Sequence, residues 1–326
     1  MNRRRALLIL ALLGMFAVFA AALSALCGST GCTSDPFHDE IVRLLRVPRV
    51  SAAFAVGALL ALAGALMQVL LRNPLADPYV LGLSGGAASG ALLATMAGAA
   101  VGLAPDAAAG TGAAAGAALA LGLLFLLVRE PLRRLPSTAL AAGHRLILTG
   151  VMIASGFGAL ITLILSIAPD ASLRGMIFWL LGDLSGSART LPAWLALGLA
   201  LAWGLPNARR LNLLARGESF AQLLGVRVVR LRIGVLCVAG IATAAAVTVA
   251  GTIGFVGLVV PHAVRLVCGN DQRLLLPASA LAGGAVLTLA DLAARTIVAP
   301  TQLPVGVVTA LLGVPVFLWL LARGRA

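Results

Sequence analysis

Long apolar runs follow one another along nearly the whole chain, separated by short clusters of Arg, Pro, Gly, Asn and Asp. A helix that crosses a bilayer needs roughly 20 predominantly apolar residues. On that measure the pattern predicts spans at 6–26, 50–71, 82–103, 110–128, 145–167, 190–206, 233–250, 255–268, 276–296 and 305–322. The eighth is short for a full crossing and is expected to pack within protein. Between Ile177 and Ser187 the pattern breaks at Trp179, Gly182, Asp183 and Gly186. This stretch predicts a partial helix on the outer side, because irregular backbone at membrane depth must be buried in protein or line water. The predicted fold class is all-α: one polytopic membrane domain over 1–326, of about ten transmembrane helices, with short cytoplasmic helices.

Composition agrees with the pattern. The chain is 61% hydrophobic and 11% charged, with a mean hydropathy of +1.05. Soluble domains are about half apolar and about a quarter charged, so lipid is the expected surrounding. The net charge of +13 does not point to nucleic acid, since the arginines sit between apolar runs and form no stripe with aromatics. All 24 basic residues are Arg. With the N-terminus inside, eighteen of them fall on the inner side. Arg43, Arg46, Arg49, Arg174, Arg189 and Arg295 fall on the outer side. The positive-inside rule then sets both termini in the cytoplasm. Arg3, Arg4 and Arg5 precede the run from Ala6 to Leu26, which is long for a signal peptide and has no A-x-A site after it, so it reads as an uncleaved first span.

Some residues carry local expectations. Gly82, Gly86 and Gly90 repeat at four-residue spacing, as do Gly98 with Gly102 and Gly112 with Gly116. Small residues one turn apart let helix backbones approach closely. Cys27 and Cys32 flank a short polar loop and would pair if it faces an oxidising compartment. Cys237 and Cys268 read as small hydrophobes. Asp291 and Arg295, four apart, can pair on one helix. His262, after Pro261, reads as a hydrogen-bonded core residue, and His38, His144 and His262 show no metal spacing. Arg72 to Pro78 reads as a rigid inner turn in which Asp77 bonds amides.

The longest polar interruption runs from Pro206 to Arg232 on the inner side. Within it, Glu218, Ala221 and Gly225 lie three and four residues apart, so one helical face carries them before the glycine ends the helix. This E-x-x-A-x-x-x-G stretch resembles the coupling loop of ABC importer permeases. Other segments resemble the FecCD/BtuC-type permease family, which imports vitamin B12, iron-siderophores and haem. They are Arg46-Val47-Pro48-Arg49, Gly64 to Gln68 with Arg72 to Pro78, Gly254 to His262, and Leu303 to Ala310 with Gly313. Together they cover nearly the whole chain in the expected order.

The resemblance implies a ten-helix subunit of the bacterial inner membrane that forms a homodimer with the translocation path between the copies. Two cytoplasmic ABC ATPase subunits would dock on the loop at 207–232, around Glu218, Ala221 and Gly225. A periplasmic substrate-binding protein would dock on Arg46, Arg49 and Arg295, which from the residues alone read as interfacial snorkelling. The chain has no Walker P-loop and no Lys. It is therefore expected to be a non-enzymatic transport subunit without a cofactor, with ATP and Mg bound by the partner ATPase. Cargo is expected to be an iron chelate (siderophore or haem) or cobalamin. Helix position suggests Met67, Gln68, Leu81, Ser84, Thr149 and Ser166 as path lining. Two remote alternatives are an ion-coupled transporter, with Asp183 and Asp291 near membrane depth, and a rhomboid-like protease using Gly82-Leu83-Ser84-Gly85 and His262.

Overall fold

The computed structural model describes residues 3–33, 39–100, 102, 104–133, 139–186 and 190–322. His38, Arg134, Arg189, Arg323 and Arg325 lie outside them. Ten apolar helices match the ten expected spans in order. They are α1 (Arg3–Leu26), α2 (Val47–Leu70), α3 (Leu83–Ala100), α4 (Pro105–Arg133), α5 (Ala139–Ile167), α7 (Leu191–Ala215), α9 (Val228–Ala250), α10 (Val256–Cys268), α11 (Gln272–Thr296) and α12 (Val305–Ala322). Two shorter helices, α6 (Asp170–Leu180) and α8 (Glu218–Leu223), complete the set. Among the described residues, seven helices are long and apolar enough to cross a membrane, and α10 and α12 are shorter.

α2 is the central post. Pro48 sits in its first turn, where a missing N–H costs nothing. Its residues are apolar on all sides, and Ala55 through Val69 are buried without interruption. Backbone contact holds it to its neighbours: a Cβ on Gly57 would collide with Gly283 of α11, and one on Gly64 with Gly257 of α10. α2 ends at Leu70, capped by Leu71, and Arg72, Asn73 and Pro74 turn the chain away. In that turn Leu75 N donates to Asn73 Oδ1 at 2.9 Å and Tyr79 N donates to Asp77 Oδ1 at 2.8 Å, as the proline-bounded motif leads one to expect.

α3 and α4 interlock through glycine. A Cβ on Gly90 would strike the Gly112 carbonyl, and one on Gly116 would strike that of Gly86. Two glycines of the repeat behave differently. Gly82 has φ +76 and ends the 3-10 turn Pro78–Leu81, and Gly102 has φ +73 with open space around it. α1 and α5 present apolar side chains outward, among them Leu12, Phe19, Met152 and Leu163. Such faces suit lipid or another apolar surface.

Several boundaries differ from expectation, among them α4 and α5, which start five and six residues early. α7 continues through Pro206 to Ala215, because an isolated proline removes one hydrogen bond without breaking a well-packed helix. With α9 starting at Val228, the connection between the two long helices shrinks to 216–227 and contains α8. The partial outer helix begins at Asp170, earlier than the break at Ile177 suggested. α1 leads into a two-stranded hairpin, β1 (Cys27–Gly28) with β2 (Gly31–Cys32), closed by a Cys27–Cys32 disulfide.

Candidate functional site

Three places carry the chemistry: α8 at one end of the molecule, an arginine cluster at the other, and a cavity. The ends are fixed by α11. At its start, Asn212 of α7 donates to Asp271 Oδ1 at 2.8 Å and accepts from Gln272 N at 2.8 Å, so the α7–α8–α9 connection lies at this end. The arginine cluster lies at the other, about 37 Å away at 1.5 Å rise per residue along a helix of 25 residues.

α8 is a six-residue helix whose two faces differ. Ala221 is fully buried, and Glu218 is only 6% exposed. The Glu218 carboxylate turns inward, with Oε2 3.3 Å from Arg232 Nη1 on the first turns of α9. Phe220, Leu223 and Leu224 face outward at 42%, 85% and 56% exposure. Gly225 has φ +77 and ends the helix; its N donates to Gln222 O, and Val226 N donates to Ala221 O. This paired closure is the Schellman pattern, which calls for a left-handed residue at that place. The Arg72 side chain approaches Gly217, so the turn after α2 lies beside the start of α8. Sequence spacing marked Glu218, Ala221 and Gly225. The outward apolar residues between them were missed, although three large apolar side chains on a polar inner loop are themselves a signal.

At the far end Arg46, Arg49 and Arg295 come together around Asp291, which is fully buried. Arg49 Nε donates to Asp291 Oδ1 at 3.0 Å and its Nη2 lies 2.9 Å from the same oxygen, while Nη1 donates to Gln302 Oε1 at 2.7 Å. Arg295 Nε lies 3.0 Å from Asp291 Oδ2, and its Nη2 donates to Ser24 Oγ at 2.6 Å. Among the described residues Arg46 takes neutral acceptors: Leu26 O, Thr30 Oγ1 at 2.8 Å and Gly31 O at 3.0 Å. The disulfide-closed hairpin therefore wraps the Arg46 guanidinium. Arg46 and Arg295 are buried, and 11% of the Arg49 side chain is open. Snorkelling at an interface does not describe them, since each guanidinium is bonded inside protein. The local Asp291–Arg295 pair was expected; Arg49, 242 residues from Asp291, was not linked to it.

A cavity of about 320 Å³ is lined by Tyr79, Ser84, Gly85, Ala88, Ile161, Leu180, Thr252 and Gly254. Its wall is tied at several points. Ile253 N donates to the Tyr79 hydroxyl at 2.9 Å, Thr252 Oγ1 donates to Leu180 O, Asp183 N donates to Ala250 O at 2.9 Å, and Val305 N donates to Gly182 O at 3.0 Å. Burial pushes the Tyr79 pKa above the usual phenol value and so keeps its proton. Of the residues suggested as path lining, Ser84 faces this cavity. Met67 and Leu81 are fully buried in helix packing, and Gln68 Nε2 donates to Leu258 O at 3.2 Å. Thr149 is half-buried on α5, and Ser166 is exposed, its hydroxyl donating to Leu163 O at 2.8 Å. Tyr79 is the only tyrosine in the chain and was legible as an oddity in an apolar turn.

His262 is buried, as expected, but neither ring nitrogen has a partner among the described residues, which corrects the hydrogen-bonded reading. It makes no pair with Ser84, so no Ser–His dyad is present. The described residues hold no group of His, Cys, Asp and Glu suited to a metal.

The FecCD transport family model matches residues 6–323. The vitamin B12 import system permease protein BtuC of Escherichia coli O9:H4 (strain HS) is 39% identical over 306 residues, covering 91% of this chain and 88% of its own. The hemin transport system permease protein HmuU of Yersinia pestis is 40% identical over 304 residues, covering 86% and 83%. A solved ABC transporter, described as of the metal-chelate type and in an inward-facing conformation, superposes with a TM-score of 0.84 at 31% identity, covering 98% of this chain and 99% of that one. A family match across nearly the full length, on a bundle whose ten apolar helices follow the predicted order, leaves neither the protease nor the ion-coupled alternative standing: the chain is a multi-pass membrane protein and belongs to the FecCD transport family.

Proposed function

We propose that this chain is the membrane-spanning subunit of an ATP-driven importer for a metal chelate. An iron-siderophore or haem ranks first as cargo and cobalamin second; the substrates named for its relatives are vitamin B12 and hemin. The observation that carries the mechanism is α8: a short helix with Leu223 85% exposed between Phe220 and Leu224, on a chain that has no Lys and no P-loop of its own. Large apolar side chains held out in this way suit a groove on a nucleotide-hydrolysing partner. Two such ATPases, each with ATP and Mg, would act on a homodimer of this chain, and the path would run between the copies.

The arginine-rich, α8-bearing side is assigned to the cytoplasm and the membrane to the bacterial inner membrane. The Cys27–Cys32 disulfide at the opposite end supports this, because such bonds persist in oxidising compartments. A periplasmic binding protein would meet that end at Arg46, Arg49 and Arg295. An incoming carboxylate would compete with Gln302 and Asp291 for the guanidinium of Arg49, the one with the most open side chain. Cargo would be handed over by alternating access.

The test is reconstitution of the chain with its ATPase and binding protein in proteoliposomes. ATP-dependent accumulation of ferric siderophore, haem or cobalamin is expected. Uptake that needs no ATPase and collapses with an uncoupler would overturn the reading.

A further inference from the structure

We propose that the buried Glu218–Arg232 ion pair is the joint through which α8 drives α9, with Arg232 as a positioning residue for coupling. This rests on the assignment of α8 as the ATPase-facing helix. Both side chains are nearly sealed, at 6% and 4% exposure, and Arg232 Nη1 lies 3.3 Å from Glu218 Oε2. A buried charge that loses its partner is heavily penalised, so the two groups stay together when α8 moves. The covalent link between the helices is soft by comparison: Leu224, Gly225 and Arg227 are exposed, and Gly225 is left-handed. A push on α8 would be absorbed by that link if the ion pair did not bridge it.

α9 is built to carry the push onward. It holds no proline and is packed along its length, with Gly234 against Trp203 of α7 and Gly240 against Leu121 of α4. From Arg232 to Ala250 it spans about 27 Å at 1.5 Å per residue. Its far end is wired to the cavity wall: Ala250 O accepts from Asp183 N, and the next residues tie to Leu180 and Tyr79. Glu218 therefore works inward, and the outward residues of α8 provide the grip.

The experiment uses the assembled importer in proteoliposomes and reads cargo moved per ATP hydrolysed, beside co-purification of the ATPase. Arg232→Gln is expected to keep the ATPase bound and to lower cargo per ATP at least about fivefold, the low end of coupling between distant sites. Glu218→Arg and Arg232→Glu alone should do the same, and the double reversal should recover much of the ratio. An unchanged ratio in Arg232→Gln would sink the proposal. If that variant does not insert, the double reversal decides: inserted but coupling no better than either single reversal, it overturns the joint. Leu223→Asp separates the two readings, since it should release the ATPase. Retention of the ATPase there would count against the docking assignment, whatever the ratio in Arg232→Gln.

Discussion

At the scale of single residues, charge is kept inside the protein by pairing. Asp291 serves both Arg49 and Arg295. Asp291→Asn would leave two buried guanidiniums without their anion, at a cost of about 3–5 kcal/mol. The expected outcome is a large drop in the melting temperature of the detergent-solubilised protein, and an unchanged melting temperature would refute it. Gly225 makes a different demand. No atom crowds a Cβ there, but φ +77 strains any L side chain. Gly225→Val is expected to cost about 1–2 kcal/mol locally, and Gly225→Asn less, because Asn tolerates the left-handed region. Cargo moved per ATP should fall in that order. Asp77, in the turn outside the crossing helices, has its pKa pushed up to about 6 by burial, partly offset by the Tyr79 amide. The native state thus prefers the protonated acid. Its contribution is present below the ordinary value of 3.8 and is lost as pH rises through about 6. Asp77→Asn should flatten that part of a melting-temperature profile. Of these features, the i,i+4 pair and the glycine were legible from spacing. The Arg49 link was not, because sequence spacing carries no information on tertiary neighbours 242 residues apart.

At the scale of elements, apolar periodicity was enough to find ten helices, because hydrogen-bond demands leave a chain in lipid few other forms. The errors came at polar punctuation. Pro206 looked like a helix end and is an interior residue of α7. Asp170 and Arg174 looked like loop and belong to α6. α8 was found by spacing, yet its orientation was hidden, since Arg232 reads as part of a polar loop until α9 is seen to begin at Val228. The glycine contacts between α3 and α4 make a further prediction. Gly90→Leu would drive a side chain into the Gly112 backbone, and Gly116→Leu into that of Gly86. Overpacking of this kind costs typically about 1–3 kcal/mol, occasionally more. Both variants should lose thermal stability in detergent, whereas Gly122→Leu, with open space around it, should not.

At the scale of the whole molecule, the α7–α8 end and the arginine cluster lie at opposite ends of α11. A cysteine placed at Leu223 should label with an impermeant thiol reagent from the cytoplasmic side only, and labelling from outside would invert the topology. The sequence could assign sides through arginine counts, but it could not see that Arg46, Arg49 and Arg295 are enclosed by the hairpin and by Ser24, Asp291 and Gln302. The glycine-zipped pair of α3 and α4 has a mechanical consequence. Ser84, Gly85 and Ala88 of α3 form one side of the cavity, and α4 bears Leu119, Leu126 and Leu127, each more than half exposed. With the two backbones in contact, this wall is a two-ply leaf; where the exposed leucines of α4 are set in lipid, that ply would be dragged through acyl chains whenever the inner ply shifts. Cavity remodelling then has to displace bilayer, and turnover should slow as the surrounding lipid stiffens.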